Sequence, residues 1–184
     1  MLKHILLGFL NYRPMTGYEL KSIMDESTMH FWHAYHSQIY TTLRKLEDEG
    51  LVTSEMELGD DKLNRRTYTI TEAGRADLRE WLNTPLHEVV PVKEDLLVRM
   101  FFSGERDKQA VIDELRVQRL LHQRTLAEYR NLTEETMLEI IPEDKERAVQ
   151  HLPFWESTLR FGIQYEELYL QWIDETIRIL EEQG

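Results

Sequence analysis

Residues 37–51 read Ser-Gln-Ile-Tyr-Thr-Thr-Leu-Arg-Lys-Leu-Glu-Asp-Glu-Gly-Leu. Ile39, Leu43 and Leu46 recur at spacings of four and three, which places them on one stripe of a helix facing a core. Ser37, Gln38, Tyr40, Thr41, Arg44 and Lys45 fall on the remaining sides. Ser37 is expected to cap the helix start by accepting a backbone N–H. Gly50 is expected to end it in a left-handed conformation. The result is a helix with a buried back and a front of amide, hydroxyl and guanidinium groups, the donors and acceptors that base edges in a major groove require. No acid occurs between His30 and Leu46, although the chain is acidic overall. A plain solvated helix would satisfy this stretch equally well, so its neighbours decide.

On the amino-terminal side, Leu2–Leu10 predicts a first helix that is apolar on most sides and covered by another chain or domain. Asn11-Tyr-Arg-Pro14 breaks it. Thr16-Gly-Tyr-Glu19 fits a capping box that opens a second, short helix to about Met24. The free N–H groups at its start suit a phosphate, with Thr16 and Tyr18 beside them. Asp25–His36 predicts an irregular, partly buried segment holding Phe31, Trp32 and Tyr35.

On the carboxy-terminal side, Leu51–Leu58 and Arg65–Ile70 alternate as two strands around a turn at Gly59-Asp-Asp-Lys62. Thr71 caps a helix over Glu72–Asn83 that buries Ala73, Leu78, Trp81 and Leu82. Helix, helix, helix, two-strand hairpin, helix is the order of a winged helix-turn-helix, whose third helix enters the major groove while its hairpin lies on the backbone or in the minor groove. The bases sit where that geometry needs them, at Arg44-Lys45 on the third helix and at Lys62, Arg65 and Arg66 on the wing.

Pro85 and Pro91 bracket a linker. Beyond it, Lys93–Phe102 predicts a short helix and Glu105–Thr133 a long one, with Ile112, Leu115, Leu121, Leu126 and Tyr129 along one side. A last helix runs from about Lys145 to Glu182. There Trp155, Leu159, Gly162, Tyr169, Trp172, Thr176 and Leu180 form one row, and Phe154, Phe161, Ile163, Leu168, Ile173 and Ile177 widen the apolar band beyond what one partner needs. A second copy of the chain is the expected cover, with Leu2, Leu6, Phe161, Leu168, Tyr169, Trp172 and Thr176 at the interface. The expected organisation is residues 1–84 as a DNA-binding winged helix, 85–92 as linker and 93–184 as a helical dimerisation and sensing domain. The fold class is mostly α with a small β-hairpin.

Composition bounds the rest. The 184 residues include 22 Lys/Arg against 34 Asp/Glu, a net charge of −12 that is concentrated after residue 85. A local basic face can hold phosphate while a remote body stays acidic. Without cysteine there are no disulfides, thiolate metal sites or cysteine nucleophiles. No cleavage pattern follows Leu10 and no apolar run reaches the roughly 20 residues of a membrane span, so a cytoplasmic protein is expected.

The residues also resemble a known family. Thr16-Gly-Tyr-Glu-Leu20, His36-Ser-Gln-Ile-Tyr40, Leu43-Arg-Lys-Leu-Glu-Asp-Glu-Gly-Leu51 and Tyr68-Thr-Ile-Thr-Glu-Ala-Gly-Arg75 resemble the PadR family of transcriptional regulators. Phe31-Trp32 and the helical second half look like the branch that includes the phenolic acid decarboxylase repressors. The resemblance implies a dimeric repressor built on the first and carboxy-terminal helices, with DNA contacts from the second helix's cap, the third helix and the wing. The family often has proline after the third helix's tyrosine; this chain has Thr41, which leaves a hydroxyl free. Phenolic acids are the effectors that the resemblance suggests.

Two clusters admit more than one reading. His30, His33 and His36 recur every three residues and would suit a metal-responsive repressor; structural histidines fit better, and no metal or cofactor is expected. Phe31, Trp32, Tyr35, Phe154 and Trp155 would suit a planar aromatic acid or a plain core. Enzyme motifs are missing: no Gly-rich phosphate loop, no Gly-x-Ser-x-Gly elbow, no His-Glu-x-x-His. Glu134-Glu135 and Glu166-Glu167 read as solvated. A winged helix serving as a protein adaptor is the remaining alternative, disfavoured by two basic clusters.

Overall fold

A computed structural model describes the chain except for residues 29–30, 58–64, 92, 141–143 and 183–184. It divides into two compact units, 1–87 with 140–145, and 88–139 with 146–184.

The first unit begins with α1 (Leu2–Tyr12), which turns Leu6, Leu7, Phe9 and Leu10 inward. A strand not visible in the sequence follows, β1 (Met15–Thr16), too short for any periodicity. Thr16 then caps α2 (Gly17–Ser27), and the capping box is complete: Thr16 Oγ1 accepts from the Glu19 N–H and Glu19 Oε2 from the Thr16 N–H. After a loop that includes residues 31–35 comes α3 (His36–Asp48), its back formed by Ile39, Leu43 and Leu46, all enclosed.

Ser37 does not cap α3. The helix opens at Tyr35, one residue ahead of His36, and the Gln38 side-chain oxygen accepts from the Tyr35 N–H at 2.9 Å. Ser37 therefore sits inside the first turn. Gly50 does end the helix, at φ +69°. Next come β2 (Val52–Glu57) and β3 (Arg65–Ile70), paired antiparallel from Val52↔Ile70 to Glu57↔Arg65. β1 joins β3 from the other side, giving the order β1-β3-β2.

Thr71 caps α4 (Glu72–Asn83) by accepting from the Gly74 N–H. The inward positions are Gly74, Leu78 and Trp81, not Ala73 and Leu82, which are exposed. Gly74 explains the phase: a Cβ there would lie 2.2 Å from the Leu51 carbonyl oxygen, so α4 rests directly on the backbone of the residue that precedes β2. One apolar cluster runs through the unit from Leu6 to Leu78.

The second unit holds α5 (Asp95–Phe101), α6 (Lys108–Arg130), the short α7 (Glu134–Leu138) and α8 (Lys145–Glu182). Asp107 delays the start of α6 by capping it through the Ala110 N–H, and Thr133 begins α7 instead of ending α6. α6 and α8 run antiparallel, laced by Arg116–Glu181, Arg119–Asp174 and Arg130–Glu167. The inward seam of α8 is Ala148, Leu152, Leu159, Gly162, Glu166, Tyr169 and Ile173, a four-three repeat completed by half-buried Trp155.

Glu166 is the departure from the sequence reading: it is 6% exposed, and its Oε2 meets His122 Nδ1 at 2.5 Å. The His122 ring stacks on Tyr169 at 3.9 Å. His122 takes the seam position on α6, so Leu121 faces out. Burial pushes the nearby Tyr129 hydroxyl up to about 12, with the Glu166 charge adding to it. Among the described residues no helix is long and apolar enough to cross a membrane.

Candidate nucleic-acid interface

Three elements of the first unit carry the predicted contact residues. At the start of α2, Thr16 is occupied by its own cap, and its hydroxyl also donates to Glu19 Oε2 at 2.8 Å. These bonds, with one from Arg13, hold the Glu19 carboxyl below the usual carboxylate range against the desolvation that pushes it up. Tyr18 is exposed, its ring 6.4 Å from that of His36. Gly17 packs under Tyr40: a Cβ there would lie 2.5 Å from Tyr40 Cε1. Gly17 thus seats the third-helix tyrosine on the start of α2, a contact that glycine's lack of side chain hides from sequence patterning.

On α3, Ser37, Gln38, Tyr40, Thr41, Arg44 and Lys45 all face out. Gln38 spends its oxygen on the Tyr35 N–H, which leaves the amide NH₂ to donate. Arg44 and Lys45 pair with no carboxylate among the described residues. On the wing, Arg65 is exposed and Lys62 lies outside the described residues. Arg66 is engaged within the chain: its Nη2 donates to Glu47 at 2.6 Å and its Nε to Ser54 Oγ at 2.7 Å. Ser54 donates in turn to Glu47, and these bonds hold the Glu47 carboxyl low against a smaller desolvation. Neither partner of Arg66 stands out in the sequence, since each is one polar residue among many.

The aromatic residues separate by unit. Trp32 packs on the first unit's core, while Phe31 and Tyr35 face solvent, Tyr35 edge-on to His33. A cavity of about 380 Å³ opens among Leu2, Trp32, His33, Ala34, Ser37, Gln38, Thr41 and Thr42. In the second unit Trp155 packs on a small cluster with Leu152 and Leu159, its ring parallel to His151, and Phe154 is exposed. His30 lies outside the described residues, and His33 and His36 turn to different neighbours. Among the described residues no group of His, Asp and Glu is placed to hold a metal ion.

The predicted dimer residues also divide. Leu6 is 0% and Tyr169 7% exposed, so the chain's own core consumes both side chains. Leu2 and Trp172 pack partly against core, and the Thr176 hydroxyl donates to the Trp172 carbonyl. Phe161 and Leu168 are 61% and 65% exposed and share an outward stripe of α8 with Phe154, each seven residues from the next.

In comparisons with known proteins, the model of the transcriptional regulator PadR-like family matches residues 6–80, and that of the virulence activator alpha C-terminal family matches 92–181. A probable transcriptional regulator of Mycobacterium tuberculosis is 30% identical over 98% of each chain. The negative transcriptional regulator PadR of Bacillus subtilis is 28% identical, again over 98% of each. The crystal structure of that PadR in complex with operator DNA is similar at a TM-score of 0.79, with 26% identity and 97% of each chain covered. Its complex with p-coumaric acid is similar at 0.71, with 26% identity over 98% of each. The chain belongs to the PadR-like family of transcriptional regulators, which are not enzymes.

Proposed function

We propose that the chain is a homodimeric repressor that binds a palindromic operator through α3 and the wing, and that a small aromatic acid releases it. The observation that carries the DNA reading is the outward face of α3. Five polar or basic side chains, Ser37, Gln38, Thr41, Arg44 and Lys45, stand on a fully buried apolar back, and the two cations carry no internal partner among the described residues. A relative of the same family has been solved on operator DNA, which supports the same use here. Gln38, Thr41 and Arg44 read bases in this reading; Tyr40, Lys45, Lys62 and Arg65 hold phosphates, with Tyr18 at the start of α2, where Thr16 acts as the cap that orders it.

Residues 1–84 then form the DNA-binding domain, 85–92 the linker and 93–184 the dimerisation domain. The outward stripe Phe154, Phe161 and Leu168 is apolar surface that a second copy would cover. Two-fold symmetry would set the half-sites about 34–36 Å apart.

For the effector, the cavity beside α3 has room for a small planar molecule: Trp32, Leu2 and Ala34 give apolar walls, and His33, Gln38 and Thr42 give polar ones. A ligand there would displace the α3 residues that meet DNA, and the p-coumaric acid complex of the Bacillus subtilis relative makes phenolic acids the first to try. The test is selection of a duplex from a randomised library, followed by gel shifts with a panel of phenolic acids. Selection of a palindrome and its release by a panel member are expected. No selected duplex would end the DNA reading; a complex indifferent to the whole panel would end the effector reading and leave the repressor.

A further inference from the structure

Arg66 stands where the sheet leaves the core. Side chains alternate along β3, so Arg66 shares a face with Tyr68 and Ile70, and Arg65 shares the opposite face with Thr67 and Thr69. Tyr68 and Ile70 are buried, and that face continues toward the hairpin tip as Arg66. The register sets Ser54 opposite Tyr68 and Met56 opposite Arg66, which makes Ser54 the diagonal neighbour of Arg66. Glu47 reaches the same point from the last turn of α3.

The three side chains close a ring of hydrogen bonds. Arg66 donates to Glu47 Oε2 at 2.6 Å and to Ser54 Oγ at 2.7 Å, and Ser54 donates to Glu47 Oε1 at 2.6 Å. The guanidinium carbon lies 5.5 Å from the centre of the Tyr68 ring, so one face of the fork is covered as well. The Nε and Nη2 edge is one of the two that a guanidinium presents to a bidentate oxyanion, and here it is turned to Ser54 and Glu47. Arg65, one residue away on the opposite face, is exposed and has no such partner among the described residues.

We infer that Glu47, Ser54 and Arg66 form a bracket that sets the angle of the β2–β3 hairpin against α3, so that Arg66 is a positioning residue for operator recognition while Arg65 supplies the wing's phosphate contact. The inference rests on the DNA-binding reading above. A lone exposed ion pair adds little to stability, so the bracket acts on geometry: it keeps the wing where both it and α3 meet one duplex.

The two roles predict opposite results. If Arg66 held a phosphate, Glu47→Gln would release it and tighten binding. If it is a bracket, Glu47→Gln and Arg66→Ala each weaken binding several-fold, and the double variant is no weaker than either alone. The measurement is fluorescence anisotropy on the duplex that the wild-type chain selects from a randomised library, alongside a scrambled duplex, over a range of salt. Arg66→Ala is expected to weaken the selected duplex more than the scrambled one and to leave the salt slope unchanged. Arg65→Ala weakens both and lowers the slope by about 1. Arg66→Lys does not restore binding, because an ammonium cannot bridge Ser54 and Glu47 as the fork does. Tighter binding by Glu47→Gln, a lowered slope in Arg66→Ala, or rescue by lysine would overturn the inference.

Hydrogen exchange reads the bracket without DNA. Faster exchange along Val52–Glu57 and Arg65–Ile70 is expected in Glu47→Gln and Arg66→Ala, with α1 and α3 still protected. Unchanged hairpin exchange in both variants overturns the bracket, whereas a wild-type chain that selects no duplex overturns the DNA-binding reading on its own.

Discussion

In the first unit, α1, α2, α3, the sheet and α4 contribute to one apolar cluster, and the predicted interface is built on its outside from polar side chains and two cations that pair with no carboxylate among the described residues. The second unit distributes its apolar residues over two smaller clusters, one around Leu115 and Ile173 and one around Leu152 and Leu159. Between these along α8 sits a buried carboxylate, and the outward side of that helix carries Phe154, Phe161 and Leu168 in the open. The difference is one of concentration. The first unit gathers its enclosed apolar side chains into one core behind α3, although Phe31, Met56 and Leu82 stay exposed. The second splits its core in two, leaves a row of apolar side chains uncovered on α8 and joins α6 to α8 with polar pairs.

The largest effect should come from breaking the single core of the first unit. Leu43→Ala removes a fully enclosed side chain from the back of α3 and should cost about 2–5 kcal/mol, since a rigid core cannot collapse onto the gap. Denaturant unfolding checks it, and operator binding should fall with stability. A cost below about 0.5 kcal/mol, the level of a surface change, would mean that α3 does not have the buried back described.

On the other side of the comparison, Glu166→Ala leaves His122 half-buried and unpartnered and should destabilise the second unit by roughly 3 kcal/mol. Glu166→Leu should recover much of that loss, because an apolar side chain suits the seam. If both substitutions were neutral in thermal melts, the pair would not be setting the register of α6 against α8.

A third prediction concerns the uncovered stripe. Phe161→Asp should leave the fold of a single chain intact, since the side chain is already exposed, yet convert the protein to a monomer in sedimentation at micromolar concentration. A variant that still sediments as a dimer would move the interface elsewhere, and a wild-type monomer would dismiss it.

The smallest effect is electrostatic. His4 stacks on Trp81 at 4.6 Å, and its Nε2 meets Asp77 at 3.1 Å while Nδ1 is enclosed with no hydrogen-bond partner among the described residues. Desolvation lowers its pKa from 6.5, against the pull of Asp77. The unfolded chain therefore takes up the proton first as pH falls. The stability that neutral His4 contributes is present above about 6.5 and is lost progressively below it. Denaturation midpoints at pH 7.5 and 5.5 should differ more for the wild type than for His4→Asn; equal shifts would show that other groups carry the dependence.

The parts of this picture that the sequence disclosed are those with local signals. Thr16 and Glu19 announced the capping box three residues apart, Gly50 the helix end, and Ile39, Leu43 and Leu46 the buried stripe. The failures are of two kinds, one local and the rest between distant positions. Ser37 is the expected cap because hydroxyls usually serve there, but the helix starts one residue earlier, at His36, and Gln38 reaches back to accept from the N–H of Tyr35 ahead of it. The phase of α4 was read from Ala73 because Gly74, the residue in contact, has no side chain to register. Glu166 looked solvated because its partner is 44 residues away, and Arg66 looked free because Glu47 is 19 residues away. Pairings between distant positions leave no trace in periodicity, and the finer roles within the site depend on them.

Whether the front of α3 reads bases is tested most directly at Arg44. Anisotropy titrations of wild type and Arg44→Ala should be run on the selected duplex and on variants changed at each base pair. A loss of about 1–3 kcal/mol is expected on the selected duplex, with preference relaxed at one position in each half-site and retained elsewhere. Unchanged affinity with every base preference intact would contradict base reading by this helix.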